Sequence, residues 1–317
     1  MTIDSIYEPI RPEMAQVEER LNQVARAAPA GLVEQLSYVL KNGGKRLRPA
    51  LTLLAGKFYD YNVDLLLPTA AGTELLHTAT LVHDDTVDAS DLRRGKLSVN
   101  QLWGNANAVL LGDYLFAASA RMTAETGNIR VIKLFAQTLM NICTGEIQES
   151  LNPFNRSRER YFLAIGNKTA SLLSAATESG AVLSDAPEWA VQSLKEYGYN
   201  LGIAFQVVDD ILDFTGNRET LGKPVASDLA RGVFTLPAIL MLERGDGDAV
   251  MDVLSKDPKR GSGLLTEMVR SSSAIEESYG IVRGFCSRAC SALEQLPRNS
   301  AYDCLSALAD YVAQRQS

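Results

Sequence analysis

The chain has 317 residues, 46% of them hydrophobic, and its 31 basic and 38 acidic side chains leave a net charge of −7. That apolar share supports a sizeable core, and the lack of any basic run argues against nucleic acid as a partner. No apolar run reaches the roughly 18 residues of a membrane span, and residues 1–21 are polar and charged rather than a secretory leader. A cytoplasmic chain without a transmembrane segment is therefore expected. Cys143, Cys286, Cys290 and Cys304 have no histidine near them in sequence and read as reduced packing residues.

Helical periodicity recurs along nearly the whole chain, and strand alternation is almost missing. Asn42-Gly43-Gly44 ends one helix, and the turn that follows gathers Lys45, Arg46 and Arg48. Glycine lets a backbone approach an anion closely, and Lys and Arg complement phosphate. Pro68 fits the first turn of the next helix, which runs to Asp88. Residues 69–82 are apolar or small almost all round, which marks a central helix. Arg93-Arg94-Gly95 lies in a short loop, and Ser98-Val99-Asn100-Gln101 matches a capping box. Gly127-Asn128 separates two more helices. Residues 131–147 look as apolar as 69–82, so both segments would wall a cavity. Lys168 and Thr169 sit in Gly166–Ala170. Asp185-Ala186-Pro187-Glu188 is a second capping pattern, opening a long helix that Phe214-Thr215-Gly216 closes. No linker divides the chain. The expectation is a single all-α domain over residues 1–317, with ten or so core helices around a deep central cavity.

Two of these helices carry the same acidic motif, Asp84-Asp85-Thr86-Val87-Asp88 and Asp209-Asp210-Ile211-Leu212-Asp213. Positions i and i+4 of a helix project together, so Asp84 lies beside Asp88 and Asp209 beside Asp213. Carboxylates this dense among Leu, Val, Ile and Phe repel one another unless cations sit between them. A few hard oxygen donors suit Mg²⁺, which keeps waters and bridges to substrate phosphates. The motifs stand 125 residues apart, so only tertiary folding can make them one clamp on a diphosphate.

In this order, GGKRLRP at 43–49, LLHTATLVHDDTVD at 75–88, RRG at 93–95, KTA at 168–170, FQVVDDILDF at 205–214 and GKPVASDL at 222–229 resemble the trans-isoprenyl diphosphate synthases, or polyprenyl synthetases. The resemblance covers residues 43–237 and, more weakly, extends to Arg315. It implies an all-α isoprenoid synthase fold, usually a homodimer, with the two acidic motifs facing across the cavity. Asp84, Asp88 and Asp209 would hold Mg²⁺, three ions per active site, with Asp85, Asp210 and Asp213 in support. Arg93, Lys168 and Lys223 would contact the allylic diphosphate. Lys45, Arg48, His77 and Arg94 would hold isopentenyl diphosphate, and Arg315 would close over it. Thr169 and Gln206 would present oxygens to the developing cation. His83 reads as a satisfied core residue. The pattern departs at Val233, where a second Lys is usual; Arg231 could partly take its place.

The implied reaction ionises an allylic diphosphate, joins the allylic cation to the double bond of isopentenyl diphosphate and loses a proton. The resemblance also implies that bulk just upstream of the first motif stops the growing tail, and residues 79 and 80 there are Ala and Thr, both small. A tail longer than the twenty carbons of geranylgeranyl diphosphate could pass them, with peripheral membrane contact for release of so apolar a product. The alternatives are a short-chain farnesyl or geranylgeranyl synthase and a non-catalytic regulatory subunit. A terpene cyclase would not need the second group of cations.

Overall fold

The computed structural model describes residues 2–41, 44–216, 227–244 and 247–315. These residues are almost entirely helical, as the periodicity predicts. The longer helices are α1 (Arg11–Arg26), α2 (Ala30–Lys41), α3 (Leu47–Gly56), α4 (Val63–Val87), α5 (Asn105–Ala124), α6 (Ile129–Leu151), α7 (Arg158–Ile165), α8 (Ser171–Val182), α9 (Glu188–Thr215), α10 (Leu236–Leu242), α11 (Gly247–Lys256), α12 (Pro258–Ser271), α13 (Ala274–Ala292) and α14 (Ser300–Gln314). A two-residue antiparallel ladder, β1 (Leu92–Arg93) with β2 (Lys96–Leu97), interrupts them. Its turn is Arg94-Gly95, both in the left-handed region, the geometry that matches strand twist in a tight hairpin.

α4 is the axis of the molecule. Every residue from 66 to 79 except His77 is buried, and α5 lies along it with α3 and α1 on other sides. α9 packs against α8 and α13. α4 begins at Val63, where the Asn62 side chain accepts the Asp64 N–H, so Pro68 lies inside the helix rather than in its first turn. Only the carbonyl of the exposed residue Asp64 loses its partner there, which water can supply.

Other expectations also change. Ser98 occupies the N-cap of a short helix, Val99–Trp103, but makes no cap bond. Its hydroxyl donates to the Ser90 carbonyl at 2.6 Å, and Gln101 donates to Asp91 Oδ1, so both brace the hairpin base instead. α9 opens at Glu188 behind Pro187, and Asp185 adopts a left-handed turn without capping. α6 is less central than α4. Its buried residues, Val131, Phe135, Thr138, Ile142 and Gly145, form one face, whereas Ile132, Met140 and Ile147 are exposed on the other side.

Candidate active site

The acidic motifs end α4 and α9 at one cavity of about 1240 Å³. It is walled by α3, α4, α6, α7, α9 and α14, the hairpin, and residues 228–235. Among the described residues singled out from sequence, Lys45, Arg48, His77, Asp84, Asp88, Arg93, Arg94, Lys168, Thr169, Gln206, Asp209, Asp210 and Arg315 all border it. Asp85 and Asp213 are buried and do not. Lys223 lies outside the described residues.

On α4, Asp84 and Asp88 share the cavity face, while Asp85 turns away and receives Arg93 through Nε at 2.9 Å and a second guanidinium nitrogen. Burial raises the Asp84 pKa to about 6, helped by Glu146 and Asp85, against Lys168 and Arg93. Asp88 pairs with Arg231, which also binds Asp228 at 2.7 Å. On α9, Asp209 pairs with Arg315 at 2.7 Å, and the Arg315 guanidinium lies over the Phe205 ring. Asp84, Asp88 and Asp209 thus suit a divalent cation: one is lifted by burial, and the other two are balanced by the arginines Arg231 and Arg315. Among the described residues no three acidic, His or Cys groups close up into a cage. Separate banks of carboxylates fit an ion that takes its remaining ligands from water and a diphosphate.

The cations form two groups. Lys168 and Thr169 lie on a five-residue π-helical turn, Gly166–Ala170, which shifts the register between α7 and α8. A Cβ on Gly202 would stand 2.5 Å from Ala170 Cα, so α9 can hold this turn so closely only with glycine there. The Lys168 ammonium contacts Glu146 at 2.6 Å and Glu149 at 3.3 Å. Burial opposes its charge, but Glu149, Glu146 and Asp84 outweigh burial and hold its pKa above the usual lysine range.

The second group is Lys45, Arg48, His77 and Arg94. Arg94 rests on Gly44, where a Cβ would meet it at 2.8 Å, bringing the hairpin onto the 44–48 turn. Among the described residues Arg48 Nε is buried without a hydrogen-bond partner, a donor that calls for an anion. Burial first, then Arg48, Arg94, Arg93 and Arg46, push His77 well below its ordinary pKa, so it faces the cavity as a neutral ring. Arg46 is not part of the group. It is buried in pairs with Glu18 and Glu74 and donates to the Leu40 carbonyl, so two cations of that turn serve the cavity and one serves the fold.

Thr169 Oγ1 donates to Gln206 Oε1 at 2.7 Å, Gln206 Nε2 donates to Asp210 Oδ1 at 2.9 Å, and the Tyr161 hydroxyl donates to Asp210 Oδ2 at 2.5 Å. Burial drives the Asp210 pKa up, and those donated bonds pull against it. His83 behaves as a packing residue: its Nε2 donates to the Val109 carbonyl at 2.9 Å and its ring meets Phe116 edge-on.

The polyprenyl synthetase family model matches residues 29–269. The chain belongs to this family. It is similar to heptaprenyl diphosphate synthase component 2 of Geobacillus stearothermophilus, at 36% identity over 99% of both chains. It superposes with a TM-score of 0.93 on a polyprenyl synthase from Caulobacter crescentus complexed with calcium and isoprenyl diphosphate, at 32% identity over 100% of this chain and 98% of that one. A decaprenyl diphosphate synthase from Rhodobacter capsulatus gives 0.91, at 34% identity over 99% of both. This polyprenyl synthetase is therefore a trans-prenyltransferase of a divalent-metal family that acts on isopentenyl and allylic diphosphates.

Sequence reasoning missed Glu146 and Glu149, whose i, i+3 spacing on α6 could have marked them, and Tyr161, an aromatic in an ordinary helix that carried no signal. It noted Arg231 but not its reach to Asp88.

Proposed function

We propose that the enzyme condenses isopentenyl diphosphate with an allylic primer to an all-trans polyprenyl diphosphate longer than twenty carbons, using three Mg²⁺ per site. The observation that carries this reading is the gathering of Asp84, Asp88 and Asp209 in one cavity with two separate cation groups. One cation group suits the diphosphate that leaves, the other the diphosphate that stays.

Asp84, Asp88 and Asp209 would hold the metal ions. When bound, these ions supply Lewis-acid stabilisation of the charge that builds on the leaving diphosphate. Arg93, Lys168 and Lys223 bind that same group, and Lys168 keeps its charge through Glu146 and Glu149. Lys45, Arg48 and Arg94, with the neutral His77, hold isopentenyl diphosphate, and Arg315 covers it. The allylic C–O bond then breaks, the double bond of isopentenyl diphosphate attacks the cation, and the released diphosphate takes the proton. The apolar walls exclude water that would quench the cation.

Thr80 borders the cavity, with its hydroxyl turned onto the His77 carbonyl at 2.8 Å. Ile142 borders it too and belongs to a separate apolar cluster with Leu76, Phe135 and Leu172, flanked by Phe116 and Leu139. That cluster is the seat we assign to the growing tail. Leu110 is 64% exposed and plays no part in it. The test extends a short allylic primer with excess labelled isopentenyl diphosphate and Mg²⁺ and sizes the products. Fifteen- or twenty-carbon products alone would reject the chain length, and no incorporation would reject the reaction.

A further inference from the structure

Asp210 is 3% exposed, and both of its oxygens receive donors, Oδ2 from Tyr161 and Oδ1 from Gln206. Both oxygens act as acceptors in that arrangement. Of the two ends of the Gln206 amide, only the nitrogen can donate to it, so the oxygen must face the other way. There it accepts the Thr169 hydroxyl. The single proton of Thr169 is thereby turned into the protein, and its lone pairs remain for the cavity that Thr169 and Gln206 border. Polarity matters at that spot. A hydroxyl showing its proton to a forming allylic cation repels it, and one showing lone pairs attracts it.

We propose that Tyr161 is a positioning residue for prenyl transfer: its hydroxyl fixes the Asp210 carboxyl group so that Gln206 and Thr169 turn their oxygens toward the carbon that becomes cationic. The chain of bonds crosses three elements: Tyr161 on α7, Thr169 on the π-helical turn, and Gln206 and Asp210 one turn apart on α9. Without the phenol oxygen, Asp210 Oδ2 is left buried with no donor, and the carboxylate must turn or draw in water to recover one. Gln206 is then free to rotate its amide. Its nitrogen would donate to Thr169 Oγ1 and drive the threonine proton into the cavity.

The proposal rests on the assignment of this cavity to prenyl transfer. A wild-type chain that incorporates no isopentenyl diphosphate overturns that assignment, whereas an active wild type beside an equally active Tyr161→Phe variant overturns only the role of Tyr161. The experiment measures kcat and both KM values for the full chain with Mg²⁺. Tyr161→Phe keeps the ring and its volume. It is expected to lower kcat by about 10²-fold, the scale of a small misplacement at a reacting centre, with both KM values within about twofold of wild type. In a Thr169→Val background there is no hydroxyl to orient, so Tyr161→Phe should cost less than about threefold more. Fluorotyrosine at position 161 retains the hydroxyl and should restore most of the turnover. Four results overturn the role: an unchanged kcat, a loss confined to KM, an equal loss in both backgrounds, or a phenylalanine variant that melts below the assay temperature. The last would show that the hydroxyl serves stability rather than orientation.

Discussion

Asp84 sits where its own charge is costly. Its pKa of about 6 lies above the ordinary 3.8, so the folded chain binds this proton more tightly than the unfolded chain does. Without metal, the contribution of Asp84 to stability is therefore full below about pH 4 and is lost as pH rises through 6. A bound cation reverses the balance by favouring the ionised form. The rise in Tm produced by Mg²⁺ should be larger well above pH 6 than well below it, and Asp84→Asn should flatten the difference. An equal rise at both pH values in the wild type would remove Asp84 from the metal set. Turnover should fall by about 10²-fold or more in Asp84→Ala or Asp209→Ala, since electrostatic stabilisation of a leaving group commonly has that worth. The cations should divide differently. Arg48 binds a group that does not leave, so Arg48→Ala should raise KM for isopentenyl diphosphate about tenfold or more with kcat little changed. Arg93→Ala should act mainly on kcat. A rise in KM for the allylic substrate alone in the Arg48 variant would exchange the two sites.

Along α4, one residue of helical register separates the cavity from the core. Thr80 lines the cavity, and Ala79 is fully buried in the packed core. Thr80→Phe should therefore shorten the products with little change in Tm. Ala79→Phe should overpack the core, at a cost of about 1–3 kcal/mol, and lower Tm. Product sizing beside thermal melts checks this, and an Ala79→Phe variant that shortened products at unchanged Tm would contradict the register. This turn of helix was legible in sequence because Thr80 lies one turn before Asp84, and the acidic motifs fixed which way that face points. The same spacing marked the ends of α4 and α9, and the all-apolar run at 69–82 announced a central helix. Features that depend on tertiary partners were not legible. Ser98 has the residue type of a cap, yet the hairpin carbonyls won its hydroxyl. Arg46 has the residue type of a phosphate ligand, yet Glu74 and Glu18 took it. Tyr161 matters through Asp210, a residue 49 positions away, and no local pattern reports such a partner. Residues 131–147 read as uniformly apolar because two different surfaces share one helix.

The second of those surfaces bears on the whole molecule. Val109 and Leu110 on α5 and Ile132, Met140 and Ile147 on α6 are large apolar side chains left exposed, up to 68% if neighbouring Ile129 is included. Among the described residues no helix is long and apolar enough to cross a membrane. We propose that these side chains meet the same face of a second copy, forming a homodimer. Fully burying one such side chain is worth roughly 1.5–3 kcal/mol, and an isologous contact buries each of them twice. That gain exceeds the lower range, about 4 kcal/mol, of what association costs in lost freedom. The face is also tied to the site. Ile147 follows Glu146, which holds Lys168, and the Val109 carbonyl receives His83, the neighbour of Asp84. Loss of the partner should therefore loosen Lys168 and Asp84 as well as separate the chains. Leu110→Lys with Met140→Lys places four cations in the shared interface and should shift the species in solution to the 34.4 kDa of one chain. Because neither residue borders the cavity, any fall in kcat would reach the site through α5 and α6. Sedimentation equilibrium and a turnover assay on the same sample decide it. A double variant that still sediments as a dimer would place the interface elsewhere, and a fully active monomer would break the link between this face and the site.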